Sequence, residues 1–198
     1  GEYISYYDDP ESTTSGSGSG SSIMNIGIPP GKWYWEFEIQ VDGSNEMWNI
    51  IGVHTGSAAL APMGLGTDVN GWGIDDAGHL LHNEPQNPTS GIDPLTNWTH
   101  DDFRNIGIAL DNEAGNMWYS IDGQWIAPTG TSNLEPSTGA IPIFGEDSNG
   151  NLAAWDSEYG SNGLANTTVY PAVTDSSNNR GHTYRILTSG EVEYSVPS

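Results

Sequence analysis

An all-β, antiparallel β-sandwich is the fold this 198-residue sequence predicts, and three observations predict it. Residues 32–41 alternate strictly between apolar and polar side chains, the period of a strand with two different faces. Residues 105–125, "NIGIALDNEAGNMWYSIDGQW", place two turn signals between alternating apolar runs. No stretch of about ten residues or more carries the 3.6-residue periodicity of an amphipathic helix.

The elements follow in order. Residues 1–22 form an N-terminal arm: "GEYISYYDDP" with Tyr3, Tyr6 and Tyr7, then "ESTTSGSGSGSS", a Gly/Ser composition that cannot bury a core and reads as a tether. In "GKWYWEFEIQV", Trp33, Trp35, Phe37, Ile39 and Val41 share the buried parity. Lys32, Tyr34, Glu36, Glu38 and Gln40 share the wet one. "NIIGVHT" at 49–55 is a further strand, and "GWGIDDAGHLLHN" at 71–83 reads as two short strands around Asp75-Asp76-Ala77-Gly78.

Ile106, Ile108 and Leu110 alternate as one strand, and Met117, Tyr119 and Ile121 as the next, with residues 111–116 closing a hairpin. Asp122-Gly123 predicts a second hairpin, because the preferred two-residue turn requires positive φ at both central positions. "IPIF" at 141–144, "TVYPAV" at 168–173 and "HTYRILTSGEVEYSV" at 182–196 supply the remaining strands. The sandwich is expected over 23–175, with 176–198 completing it or contacting a partner.

Segment by segment, the chain resembles the SPRY domain, a concanavalin A-like jelly roll, over roughly 31–173. "GKWYWEFEI", "IGVHT", "GWGIDDAGHLLHN" and "VYPAV" carry part of the resemblance, and the hairpin "IGIALDNEAGNMWYSIDG" is its most specific part. Asp122 stands where that family often has asparagine, a change that keeps the turn chemistry. The tail after "VYPAV" runs longer than is usual for the family. The resemblance implies a non-catalytic interaction module presenting loops on a rigid sandwich. Such domains occur in eukaryotic scaffolding proteins and in structural proteins of bacterial viruses, and the Trp-rich, Lys-poor composition looks more like the latter.

Charge narrows the partners. With 26 acidic and 4 basic residues the formal charge is −22, so phosphate backbones and anionic membrane surfaces are repelled and nucleic acid is excluded as a partner class. Apolar runs fall far short of the ~20 residues of a membrane span, so no membrane insertion is expected. Cysteine is absent, which removes disulfides and thiolate metal sites.

No catalytic constellation emerges. Asp111, Glu113 and Asp122 sit in turns that favour carboxylates for backbone reasons. Glu36 and Glu38 lie two apart on one face, a spacing some jelly-roll glycosidases use, but "EFEIQV" lacks the Glu-x-Asp-x-x-Glu those enzymes carry. His79 and His82 are three apart, which on a strand points them to opposite faces. His54 has no accompanying serine nucleophile motif. Asp147, Asn149 and Asn151 form a weak calcium candidate without a distal bidentate glutamate. No other cofactor or metal is expected.

Eight tryptophans against three phenylalanines indicate apolar faces that must coexist with a polar edge. Trp48, Trp98, Trp125 and Trp155 fall in or beside predicted loops and, with Tyr159, are the candidate binding residues. Tyr3, Tyr6, Tyr7, Tyr184 and Tyr194 are the candidates for assembly. The function expected is recognition or assembly as a virion structural, capsid-decoration or fibre protein, at a virion surface or outside the cell. Its partners would be virion subunits or further copies of the chain. The alternative is an extracellular carbohydrate-binding, lectin-like domain that takes surface glycans.

Overall fold

A computed structural model describes residues 20–40, 49–56, 64–76, 79–83, 104–127, 130–131, 135–140, 142–145, 164–175 and 183–187. Among the described residues eleven strands run β1 (Gly20–Ile23), β2 (Lys32–Gln40), β3 (Asn49–His54), β4 (Gly71–Asp75), β5 (Leu80–Leu81), β6 (Arg104–Asp111), β7 (Asn116–Ile121), β8 (Gln124–Ala127), β9 (Gly130–Thr131), β10 (Tyr170–Asp175) and β11 (Thr183–Leu187). They form two antiparallel sheets, ordered β1-β10-β3-β4-β5 and β11-β2-β6-β7-β8-β9. The architecture is the β-sandwich that the alternation predicts.

Period-two patterning does the assembling. Trp35, Phe37 and Ile39 of β2 sit beside Ile106, Ile108 and Leu110 of β6 and Met117 and Tyr119 of β7, all buried against Ile51, Val53, Trp72, Ile74 and Val173 of the opposite sheet. Tyr119 ties the layers together: its hydroxyl donates to the Ile51 carbonyl at 3.3 Å, and complete burial pushes its ionisation far above the ordinary phenol range.

Turn chemistry sets the register. Asp122 and Gly123 have φ of 48° and 77°, the two positive values that a two-residue hairpin turn demands. Gly123→Val should therefore lower stability by about 1–2 kcal/mol, the cost of a left-handed L-residue. A thermal melt checks it: an unchanged midpoint would remove the turn from the determinants of register.

Four sequence expectations need revision. Trp33 shares the buried parity but is 44% exposed: it is the second residue of β2, and its indole turns back to the Pro29 carbonyl. Glu36, expected on the wet face, is fully buried. "IPIF" yields a single bridge between Met117 and Phe144 rather than a strand, with Ile141 outside the described residues. Strand β1 begins at Gly20, within the stretch read as tether, and pairs along β10 from Gly20↔Asp175 to Ile23↔Ala172.

A smaller apolar cluster lies on the outer face of the five-stranded sheet. Ile50, Leu81 and Ala172 present it, Ile23 packs beside it, and Leu65 covers it. Leu65 comes from the strap 64–70, anchored where its amide donates to the Thr174 hydroxyl at 2.8 Å.

Candidate recognition surface

The best-described end of the sandwich is built around one buried side chain. Asn112 follows β6 in the hairpin. Its Oδ1 accepts from the Gly31 amide at 2.7 Å, and its Nδ2 donates to the Thr167 carbonyl at 3.0 Å and the Pro29 carbonyl at 3.3 Å. Its own amide donates to the Gly31 carbonyl, and its carbonyl accepts from the Asn166 amide. The loop before β2, the β6–β7 hairpin and the segment before β10 thus converge on one amide group.

On that braced frame sits Trp33. Its indole N–H donates to the Pro29 carbonyl at 2.8 Å, which leaves a large ring face open. Gly31 has φ of +148°, and a Cβ there would stand 3.0 Å from the indole nitrogen, so glycine is required for the ring to lie as it does. Lys32 reaches Asp111 at 3.5 Å beside it, an ion pair whose lysine is 82% exposed and which contributes little. Among the described residues Trp33 is the exposed aromatic side chain.

The outer face of the six-stranded sheet is closed by comparison. Register places Tyr34, Glu36 and Glu38 beside Ala109, Gly107 and Asn105, then Trp118 and Ser120, with Trp125 next to Ser120. Tyr34 donates to Glu36 at 2.8 Å, and its ring tilts against Trp125 at 6.0 Å. Glu38 faces Arg185 at 3.4 Å. Both carboxylates of the glycosidase-like spacing therefore have protein partners, and Glu36 has no solvent access.

The described histidines are likewise engaged. His79 pairs with Asp75 at 2.8 Å. His82 bonds the Gly71 carbonyl at 2.8 Å and stacks on Trp72 with centroids 4.5 Å apart. His54 is fully buried and accepts the Gly56 amide at 3.0 Å. Burial lowers the pKa of both His54 and His82, partly offset for each by Asp68 and for His82 also by its bond to Gly71. Among the described residues no group of three histidine or carboxylate side chains could hold a metal ion.

Two candidates from the sequence change standing. Trp125 lies in β8, only 7% exposed and engaged with Tyr34, so its ring is not an open stacking surface. Tyr184, read as an assembly residue, is 3% exposed and belongs to the main core, because β11 alternates with Tyr184 and Ile186 inward. Trp48, Trp98, Trp155 and Tyr159, the arm residues Tyr3, Tyr6 and Tyr7, Tyr194, and the calcium candidates Asp147, Asn149 and Asn151 lie outside the described residues. Sequence reasoning assigned Trp33 to the core. The available signal was Pro29-Pro30-Gly31 directly before Lys32, which starts the strand there and puts Trp33 at its very beginning.

The sequence matches the SPRY domain model over residues 32–150, and the chain belongs to the SPRY family. SPRY domains are protein-interaction modules, generally without catalysis.

Among solved structures, the SPRY domain of human HERC1 superposes with a TM-score of 0.55 at 21% identity, covering 88% of this chain and 86% of that one. That likeness establishes the fold. Stonustoxin aligns with a TM-score of 0.42 at 16% identity over 84% of this chain, which spans 20% of the toxin chain's length. No curated protein matches the sequence.

Proposed function

We propose that this SPRY domain acts by non-catalytic recognition, as a structural, decoration or fibre component of a bacterial virus, located at the virion surface. Its partners on this reading are other virion subunits or further copies of the chain. The observation that carries the recognition reading is the open ring of Trp33 on loops locked by Asn112. A tryptophan presented on a preorganised frame contributes apolar area at low entropic cost, which is why tryptophan is enriched among the residues that dominate interfaces. The virion reading draws its support from the composition: charge of −22, one lysine, no cysteine and eight tryptophans.

The test compares Trp33→Ala with two truncations chosen to spare the sheets. Removing 1–19 leaves β1 intact, and removing 188–198 leaves β11 paired with β2. Trp33→Ala should weaken association about thirtyfold, equivalent to about 2 kcal/mol, with an unchanged thermal midpoint. Sedimentation of the purified chain, alone and with purified particles, reads the effect. Full incorporation by Trp33→Ala would remove that ring from the interface, and full incorporation by both truncations would exclude assembly through the flanking segments. A carbohydrate-binding reading rests on the same open ring, since tryptophan faces stack on sugars. Glycan binding that is lost in Trp33→Ala would replace the assembly reading.

A further inference from the structure

We propose that the strap 64–70 is a proton-released clasp: uptake of a proton by His54 detaches it from the outer face of the five-stranded sheet and uncovers Ile50, Leu81 and Ala172. This goes beyond the recognition reading and uses none of its residues. The strap is shaped to lie on the sheet. Gly64 and Gly66 have φ of +103° and +82°, and a Cβ at Gly66 would collide with Leu81 at 2.5 Å. Underneath, a Cβ at Gly71 would stand 2.9 Å from both the Gly66 amide nitrogen and Leu65 Cδ1, and 3.3 Å from His54 Cδ2. The strap and the His54 ring therefore share the space that the bare Gly71 leaves.

Hydrogen bonding fixes the protonation state of that ring. Nδ1 accepts the Gly56 amide at 3.0 Å, so the neutral ring carries its proton on Nε2. Nε2 faces Asp68 Oδ1 of the strap at 3.8 Å, too far for a hydrogen bond, and is buried with no other partner. A second proton must enter at Nδ1, where the Gly56 N–H already points. The imidazolium and that bond are mutually exclusive, so a charged His54 has lost its hydrogen bond while still enclosed. The strap lies along the Cδ2–Nε2 edge of the same ring, so lifting it is the route by which the charged ring would reach water.

Asp68 is the carboxylate that faces His54, and it holds the strap's end through the Asn70 amide at 2.7 Å and, by its carbonyl, the Asn83 amide at 3.0 Å. Asp68 also acts on His82, which approaches from beyond β5. His82 differs from His54: its Nδ1 donates to the Gly71 carbonyl, leaving Nε2 free to take a proton without breaking a bond, over the Trp72 face. The other neighbours that touch this region, Gly71 of β4, Gly56 after β3 and the Tyr170 ring against Gly56, add no carboxylate or cationic side chain. Burial outweighs Asp68 and holds the His54 pKa below its ordinary value. The closed strap thus binds protons more weakly than the open one. Closure is complete above the ordinary histidine pKa of about 6.5 and is lost progressively as pH falls below it.

Hydrogen exchange of the intact chain from about pH 7.5 to about pH 5, corrected for intrinsic rates, tests the clasp. Protection of the amides within 64–70, Leu65 above all, should fall about tenfold while the β2–β6–β7 ladder keeps its protection. Constant protection of the strap, or its loss together with the ladder, would overturn the proposal. His54→Asn puts an amide oxygen where Nδ1 accepts from Gly56 but does not titrate, and should abolish the pH dependence. Persistence of the full dependence in that variant would overturn His54 as the trigger. Asp68→Asn, which removes the offsetting charge and can still accept from Asn70, should enlarge the loss, and a smaller loss would also count against the clasp.

Discussion

Gly52→Ala is expected to be the most destructive single methyl addition in the described part of the chain, costing more than about 4 kcal/mol and abolishing folding in a domain of ordinary stability. Gly52 lies in the middle of β3, paired with Gly73 of β4 on one side and Ala172 of β10 on the other. A Cβ there would stand 1.9 Å from the Trp72 carbonyl oxygen, 2.8 Å from Gly73 Cα and 2.9 Å from the Trp72 carbonyl carbon. All three atoms are backbone within a hydrogen-bonded ladder, so no rotamer change relieves the clash. β3 and β4 would have to separate, and Trp72, buried completely in the core, would move with them.

Gly73→Ala provides the comparison. Its Cβ would meet Ile50 Cγ2 at 2.6 Å and Leu65 Cδ2 at 3.3 Å, side-chain atoms that can shift where backbone cannot, the isoleucine methyl less readily than the leucine one. An overpacking cost of about 1–3 kcal/mol is expected there. Urea denaturation of the two variants separates the cases. Equal midpoints would show that the β3–β4 spacing yields easily, and the close backbone approach would then not be a determinant of this fold.

What the sequence disclosed and what it concealed follow from the kind of signal each feature leaves. Ile106, Ile108 and Leu110 alternate in a run long enough that only one register buries all three, so β6 and its hairpin to β7 were legible. Alternation says which side chains share a face but not what covers it. Glu36 therefore looked solvated, although Tyr34 and Trp125 close over that part of the sheet. The same limitation misplaced Trp33 and Tyr184, one taken for core and the other for surface.

Strand β1 was hidden for a different reason. "GSSI" has low strand propensity, and its extended form is supplied by the partner: β10 provides the ladder, and the Ser21 hydroxyl meets the Thr174 hydroxyl at 2.9 Å. The strap carries two apolar residues, Leu65 between two glycines and Val69, whose side chain is exposed, and four apart in so short a segment they leave no periodic trace. Asn112 read as an ordinary turn residue, because nothing in a hairpin sequence reveals that two distant loops will bring their backbone groups to it.

Asn112→Ala is expected to cost about 3 kcal/mol or more, larger than any other polar truncation among the described residues. Three groups lose their bond to the amide: the Gly31 amide and the Thr167 carbonyl are left without a side-chain partner, while the Pro29 carbonyl keeps the Trp33 indole N–H. Asn112 itself is fully buried, and each of the two groups left without a partner beside it costs about 1–3 kcal/mol. Two backbone bonds, from Asn112 to Gly31 and from Asn166 to Asn112, survive the substitution, so the loops remain tethered while losing their fixed geometry. Asn112→Asp separates the two sides of the amide. An aspartate keeps the acceptor for Gly31 but offers no donor to Pro29 or Thr167, and it buries a charge against two carbonyl oxygens, so at neutral pH it should be no more stable than alanine. Denaturant midpoints test both variants, and tryptophan emission, with Trp33→Phe as the reference, follows the ring that rests on Pro29 and Gly31. A cost below about 1 kcal/mol for Asn112→Ala, or no change in the Trp33 contribution, would mean that the frame under Trp33 is held by the backbone bonds alone. The recognition surface would then owe its rigidity to the hairpin rather than to the amide at its centre.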